Sequence, residues 1–252
     1  FYQFIKKDHF YLNDAEQLKG LFAEKHKRIQ KRLGQFYPTD QTIPPLQIKQ
    51  GQSARLVQTP GYYRNSTFFF NLFDYPFNLR QIDFLYMHEG IPGHHYQISY
   101  ANQLNTPAYR QFLSRSGYAE GWGAYIEDHG EDLGLYQTPY DYLGKWEWDI
   151  VRSVRVALDV GLNYYGWSND EALKFWKQHI PNQDEIAQRE IDRMIRWPAQ
   201  VHTYKIGAVK INELRQQEEK RLGIDFNPVA FHKQILQHGA VPVEVLPLLI
   251  QG

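Results

Sequence analysis

The sequence predicts a mainly α-helical chain of many helices, with a small antiparallel β-sheet just ahead of a histidine-rich segment. Three observations carry this reading. Helix-start chemistry recurs from Asn78 onward, as Thr-Pro pairs and as Ser or Asn caps followed three residues later by Glu. Pro38, Pro44, Pro45, Gly51 and Pro60 cut the stretch between Gly34 and Asp74 into short β-prone runs. A chain of 252 residues, 42% hydrophobic and 15% aromatic, has the apolar material for one large domain. Internal repeats, low-complexity segments and linkers are missing from it.

In chain order, the first long helix is expected from about Asp14 to Leu33, with Asn13 as N-cap, Glu16 at the third helical position and Gly34 past its end. Its lysine-rich part, Lys25 to Lys31, reads as a solvated face. Leu46-Gln47-Ile48, Ala54 to Val57 and Thr67 to Leu72 read as the strands of the antiparallel sheet. Thr106-Pro107 and Thr138-Pro139 each set an N-cap before a proline at the first helical position. Ser168 with Glu171 is a capping box, Asn182 with Glu185 a second of similar form, and Pro228 and Gly239 bracket a further helix. The helix after Pro139 runs to about Tyr165 and sends Arg152, Arg155 and Asp159 into an apolar setting. Those charges either orient the ligands of a site or form ordinary buried ion pairs.

Charge and composition exclude several classes. The 28 basic and 28 acidic side chains balance, so no basic surface calls for nucleic acid or an anionic membrane. No apolar run is long enough to span a membrane, and zero cysteines exclude disulfides, thiolate-bound zinc and a thiol nucleophile. A chain that opens on Phe1 rather than methionine reads as part of a longer protein.

The chemistry concentrates between Met87 and Gln97, where eight positions from His88 hold three histidines and Glu89. In the usual H-E-x-x-H motif, two histidines four apart share a helix face and bind zinc, while the glutamate deprotonates a water. Here His88 and His94 are six apart, a rotation of about 600° that turns them to nearly opposite sides of a regular helix. His95 returns to the face of His88 but about 10.5 Å further along. The intervening Gly90-Ile91-Pro92-Gly93 writes a break into the helix, which can bring His94 beside His88. From this octapeptide alone, metal ligands and hydrogen-bonded structural histidines are equal alternatives. Downstream, Glu120 sits among Gly117-Tyr118-Ala119 and Gly121-Trp122-Gly123, on the next helix and seven residues before Glu127 on the same face. That is where a His-His-Glu zinc site draws its third ligand.

With those residues in hand, His88 to His95, Tyr118-Ala119-Glu120-Gly121-Trp122 and Arg196-Trp197-Pro198-Ala199-Gln200 running into Tyr204-Lys205-Ile206-Gly207 resemble the signature blocks of the bacterial domain of unknown function 885. The resemblance extends through Asp159-Val160-Gly161, Gly166-Trp167-Ser168, Phe231-His232 and Gly239-Ala240-Val241-Pro242, from about Leu46 to the end. That family is similar to the gluzincin zinc peptidases, a mostly helical clan that includes angiotensin-converting enzyme and the thermostable carboxypeptidases. The resemblance implies a gluzincin-like catalytic domain, the C-terminal half of a longer protein, with the N-terminal half as partner and a peptide as substrate. It implies one zinc ion held by His88, His94 and Glu120, with Glu89 as general base and Tyr204 as donor to the developing oxyanion. His202, two residues earlier, competes with Tyr204 for that role. His95, His202, Asp159, Arg193 and Phe70 are the candidates for holding substrate or orienting ligands. Phe70 lies on the run Phe68 to Leu72, expected either to pair with a substrate backbone or to be purely structural. The bacterial envelope is the compartment that relatives suggest.

Two departures from the family pattern bear on substrate preference and on hydrogen bonding around the site. Relatives usually have Pro-Gly-Gln-Ala where this chain has Pro198-Ala199-Gln200-Val201, and a histidine where it has Asn163. The intact Glu89 favours hydrolysis over a silent binding module of the same fold, and zinc chemistry alone leaves a non-peptide amide or ester open as substrate.

Overall fold

The computed structural model describes residues 1–252 except 54, 55, 57, 58, 108, 111–114, 182, 251 and 252. Its elements in order are α1 (Tyr2–Ile5), β1 (Tyr11–Leu12), α2 (Ala15–Phe36), β2 (Gln47–Gln50), β3 (Gly61–Arg64), β4 (Thr67–Phe70), β5 (Phe77–Asn78), α3 (Ile82–Glu89), α4 (His94–Ala101), α5 (Ser116–Ile126), α6 (Pro139–Asn163), α7 (Asn169–His179), α8 (Asp184–Arg196), α9 (His202–Leu222), α10 (Pro228–Leu236) and α11 (Leu246–Ile250). Mainly helical architecture is therefore what the chain adopts.

Helix α2 starts one residue later than expected. Asp14, not Asn13, is the N-cap, and its side chain accepts the Gln17 N–H at 2.9 Å. The helix also runs through Gly34 to Phe36, because Leu18, Phe22, Ile29 and Leu33 form a buried stripe that continues into Tyr37. Burial of that stripe outweighs the modest helix penalty of one glycine. Lys25 is not on a solvated face: its Nζ lies 2.7 Å from Oδ1 of the buried Asp83.

The sheet differs from the antiparallel expectation. Its order is β2-β4-β3, with β2 parallel and β3 antiparallel to β4, while β1 and β5 form a separate antiparallel pair. Strand β3 escaped the sequence reading. It joins β4 through Asn65 and Ser66, both at positive φ (48° and 55°), a pairing that suits a two-residue hairpin without the usual Asn-Gly signal. The expected strand Ala54 to Val57 falls largely outside the described residues. Strand β4 is the central strand, bonded on both edges, so it has no free edge for a substrate. Phe70 is buried in the core against Phe22, at a ring separation of 5.6 Å, rather than in a cleft.

The helix starts at Thr138-Pro139 and Ser168 form as expected, each with a reciprocal capping box, to Asp141 and Glu171 respectively. Asn227 caps α10 ahead of Pro228, and Gly239 takes the left-handed conformation (φ 63°) beyond its end. After Pro107, Tyr109 and Arg110 form a 3-10 turn in which the Arg110 N–H bonds Pro107 O at 2.9 Å; the remainder of the helix expected there, and the expected cap Asn182, lie outside the described residues. Two apolar clusters result. The larger gathers α2, β4, α3, α5 and α9 to α11. The smaller joins α6, α7 and α8 through Val151, Leu158, Trp176, Ile191 and Met194, and Trp148 packs against both.

One buried histidine ties the C-terminal helices to α2. His232 stacks on Tyr37 at 4.3 Å, bonds Phe36 O at 2.6 Å through Nδ1 and meets the Tyr125 hydroxyl at 2.8 Å through Nε2. Burial pushes its pKa well below the ordinary value, and Arg215 and His129 nearby oppose a second charge. A lowered folded pKa means that this contribution to stability is fully present above the unfolded value of about 6.5. It is lost as pH falls from there, at up to about 1.4 kcal/mol per pH unit. Melting curves from pH 7.5 to 5 are expected to show a fall in Tm that is shallower in His232→Gln than in the parent.

Candidate metal centre

Helix α3 ends at Glu89 and α4 begins at His94, with Gly90 to Gly93 between them and a cis bond at Ile91-Pro92. A side chain at Gly93 would come within 2.0 Å of the His88 carbonyl oxygen, so this tight break accepts only glycine. The break brings the His88 and His94 rings to 4.7 Å, edge to face. His95 points away, with its ring nitrogens against Pro44 O at 2.8 Å and the Tyr63 hydroxyl at 3.2 Å.

Helix α5 crosses behind this pair and brings Glu120. Its Oε2 lies 3.4 Å from His88 Nε2 and 3.3 Å from His94 Nε2, and one ligand atom from each of the three residues falls within 4.8 Å of the others. Direct charge-assisted bonds are shorter, about 2.7–2.9 Å. Ligand atoms held tetrahedrally at about 2.0–2.1 Å from a metal are instead about 3.3–3.4 Å apart, the separation that Glu120 keeps from both histidines. The buried His94 Nδ1 has no hydrogen-bond partner among the described residues. Close approach of α5 depends on two glycines. A Cβ on Gly123 would sit 2.6 Å from the His88 ring, and one on Gly121 2.5 Å from Gly207 of α9.

A charged chain behind His88 fixes its orientation. Glu127, fully buried just past α5, takes His88 Nδ1 at 2.7 Å and is clasped by both terminal nitrogens of Arg152, at 2.5 and 2.7 Å. A carboxylate on Nδ1 holds that nitrogen protonated and turns the Nε2 lone pair toward the ligand group. Burial alone would lower the His88 pKa, but the hydrogen bonds to Glu120 and Glu127 overcome it and raise it to about 10. Burial would likewise raise Glu120, yet His88 and His94 hold it well below the usual carboxylate range. Glu89, on the same cleft wall, is pushed up by burial, with the two histidines opposing.

The ligand group and Glu89 open into a cleft of about 790 Å³ between the two apolar clusters. Its lining includes Tyr62 and Tyr63 of β3, Arg155 of α6, Arg193 of α8 and Tyr204 of α9. The Tyr204 ring lies over His88 at 6.2 Å, and its hydroxyl accepts from Arg193 at 3.3 Å. Burial raises the Tyr204 pKa, which keeps the hydroxyl a proton donor. His202 turns elsewhere, to Asp159 at 3.3 Å. Asp159 also accepts the Ala199 N–H, at 3.0 and 3.2 Å. Of the sequence candidates, then, His88, Glu89, His94, Glu120, Arg193 and Tyr204 share one cleft. His95, His202 and Asp159 brace neighbouring backbone and side chains, and Phe70 is core. Glu127 was visible in the sequence only as the residue seven positions after Glu120.

Ala199 stands at φ 64°, where a side chain costs about 1–2 kcal/mol. A glycine at this position would remove that cost. Ala199→Gly is expected to raise stability by about 1 kcal/mol, read as a rise in the urea midpoint at unchanged m-value.

Fold and site together define a mainly helical protein with a His-His-Glu group able to hold a metal ion beside Glu89, whose carboxylate accepts the Tyr63 backbone N–H. The chain belongs to the family described as bacterial protein of unknown function (DUF885), whose profile matches residues 1–250. It is similar to a crystal structure described as "the putative lipoprotein from Colwellia psychrerythraea", at 26% identity and a TM-score of 0.88, over 99% of this chain and 45% of that one. It also matches "a putative lipoprotein of unknown function from Shewanella oneidensis", at 19% identity and a TM-score of 0.81, over 99% and 48%, a likeness of fold. The chain thus spans a little under half the length of these solved structures. No curated protein matches it.

Proposed function

We propose that the cleft is the active site of a zinc-dependent hydrolase of peptide bonds, and that the chain is the catalytic half of a longer protein whose other half completes the cleft. The observation that carries this reading is the convergence of His88, His94 and Glu120 with Glu89 on the same wall. Metal storage alone needs no base beside the ligands. A zinc ion held by His88, His94 and Glu120 would supply Lewis acidity at the cleft. Glu89 would take a proton from the attacking water and pass it to the departing amine. Tyr204 donates its hydroxyl proton to the carbonyl oxygen as charge develops there, and Arg193 keeps that hydroxyl aimed into the cleft.

An extended peptide is received by β3 rather than by the run Phe68 to Leu72. Strand β3 bonds β4 along one edge, and among the described residues no strand pairs with the other. Gly61, Tyr62 and Tyr63 line the cleft, so the backbone of β3 aligns a substrate by strand addition. The resemblance to gluzincin peptidases supports the same roles, and the two lipoprotein-like neighbours fit a location at the bacterial envelope. The test is a mixed-peptide cleavage assay on the full-length protein, zinc-replete and chelated. Cleavage that chelation abolishes and zinc restores is expected. A zinc-loaded protein that cleaves no peptide but does cleave simple esters or amides would replace the peptide with a small acyl substrate.

A further inference from the structure

The cleft carries more positive charge than its own carboxylates balance. Five arginines line it, Arg152, Arg155, Arg189, Arg193 and Arg196, against Glu89, Glu120 and Glu190. Three of the five lie on α8 at spacings of four and three, which sets them along one helix face toward the cleft. Arg152 is matched by Glu127. Arg155, at 2.7 Å, and Arg189 both converge on the single buried carboxylate of Glu190. Arg193 bonds only neutral oxygens, Gln200 Oε1 at 2.6 Å and the Tyr204 hydroxyl, and Arg196 bonds the Asp192 carbonyl at 3.1 Å. Among the described residues neither has a carboxylate in direct contact, although the charges of Glu190 and Glu120 act on Arg193 from further off. Two donors and one acceptor of this cluster are left over: Arg155 Nε, Arg189 Nη1 and Glu190 Oε2 are buried without a hydrogen-bond partner among the described residues, although Glu190 Oε2 lies 2.7 Å from Arg155 Nη2 as an ion pair, and Arg155 is only 3% exposed.

The half-buried Arg193 and the exposed Arg196 thus stand at the cleft with guanidinium groups open to an incoming anion. A guanidinium fork is shaped for a planar carboxylate, which it takes through two parallel hydrogen bonds. We propose that Arg193 and Arg196, backed by Arg155 and Arg189, form a subsite for a substrate carboxylate, so that the preferred substrate is a short peptide bearing an anionic group close to the bond cleaved. This rests on the hydrolase reading above and specifies its substrate class. Distance sets how close that group must be. The Arg193 guanidinium is 6.0 Å from the Tyr204 ring, which is 6.2 Å from His88. The two legs keep it within about 12 Å of His88, a span that three to four extended residues cover at about 3.3–3.6 Å each. A terminal carboxylate and an Asp or Glu side chain are the two sources that meet this limit.

The test uses the full-length, zinc-loaded protein carrying Glu89→Gln, so that binding is read without turnover. One neutral hexapeptide is compared in three forms by calorimetry: free C-terminal acid, C-terminal amide, and amide with a Glu two residues from the end. The expected result is that the free acid, or the Glu-containing amide, binds at least about tenfold tighter than the plain amide. That preference should vanish in Arg193→Gln and be partly kept in Arg193→Lys. Arg196→Gln, an exposed change that spares the interior, should weaken it as well. Which form gains identifies the terminal or the side-chain carboxylate as the ligand. Equal binding of all three forms, or an equal loss for all three in Arg193→Gln, would overturn the subsite. With Glu89 restored, selective binding without cleavage would sink the hydrolase reading and keep the subsite, whereas cleavage with no carboxylate preference would do the reverse.

Discussion

Glu89→Gln is expected to keep the metal and lower peptide turnover by about 10² to 10⁴-fold, the usual contribution of a positioned base. The amide occupies the same volume and leaves His88, His94 and Glu120 untouched, so only proton transfer is lost. Tyr204→Phe should act differently. It removes a hydroxyl that meets charge only as the reaction proceeds, so turnover should fall by about 10² to 10³-fold while substrate affinity survives. Steady-state kinetics on one peptide should read both as losses of kcat at unchanged KM, and the pH profile of kcat separates them, since only Glu89→Gln removes the acid limb on which the base must ionise. A Glu89→Gln protein as active as the parent would remove Glu89 from proton transfer.

Glu127→Gln is expected to weaken both stability and metal binding, since this buried carboxylate holds His88 on one side and Arg152 on the other. Neutralising one member of a buried pair leaves Arg152 uncompensated and costs about 3–5 kcal/mol. Metal affinity should fall by about 10–100-fold as His88 loses its fixed orientation. Urea unfolding of the metal-free protein reads the first effect and a zinc titration the second. Adding Arg152→Met to Glu127→Gln should recover part of the stability but none of the metal affinity. A double variant that recovers both would mean that Glu127 acts on the fold alone.

Much of the site could be read in the chain because its signals are local. A spacing of six from His88 to His94 does not fit one helix face, and Gly90, Pro92 and Gly93 supply the break that brings the two rings together. Helix starts at Thr138 and Ser168 are equally local, since the capping residue and its partner lie three apart. What stayed hidden depends on contacts between distant segments. The parallel pairing of β2 with β4 is set by tertiary packing, and the hairpin at Asn65-Ser66 lacks a glycine to announce it. That pairing makes β4 central, which moves the candidate substrate edge to β3 and places Phe70 in the core. Lys25 reads as solvated until Asp83, on another helix, is seen against it. The arginine stripe of α8 has a visible helical spacing, yet only the packing of α8 against α6 turns it toward Glu120 and Tyr204.

His88, His94 and Glu120 are expected to hold one metal ion, and Glu89 to take no part in holding it. Equilibrium zinc titration of the parent protein, Glu120→Gln and Glu89→Gln tests it most directly. One site per chain is expected in the parent and in Glu89→Gln, and a loss of affinity of at least about tenfold in Glu120→Gln, whose neutral side chain is a poor ligand for a divalent cation. Undiminished affinity in Glu120→Gln, or loss confined to Glu89→Gln, would contradict the account.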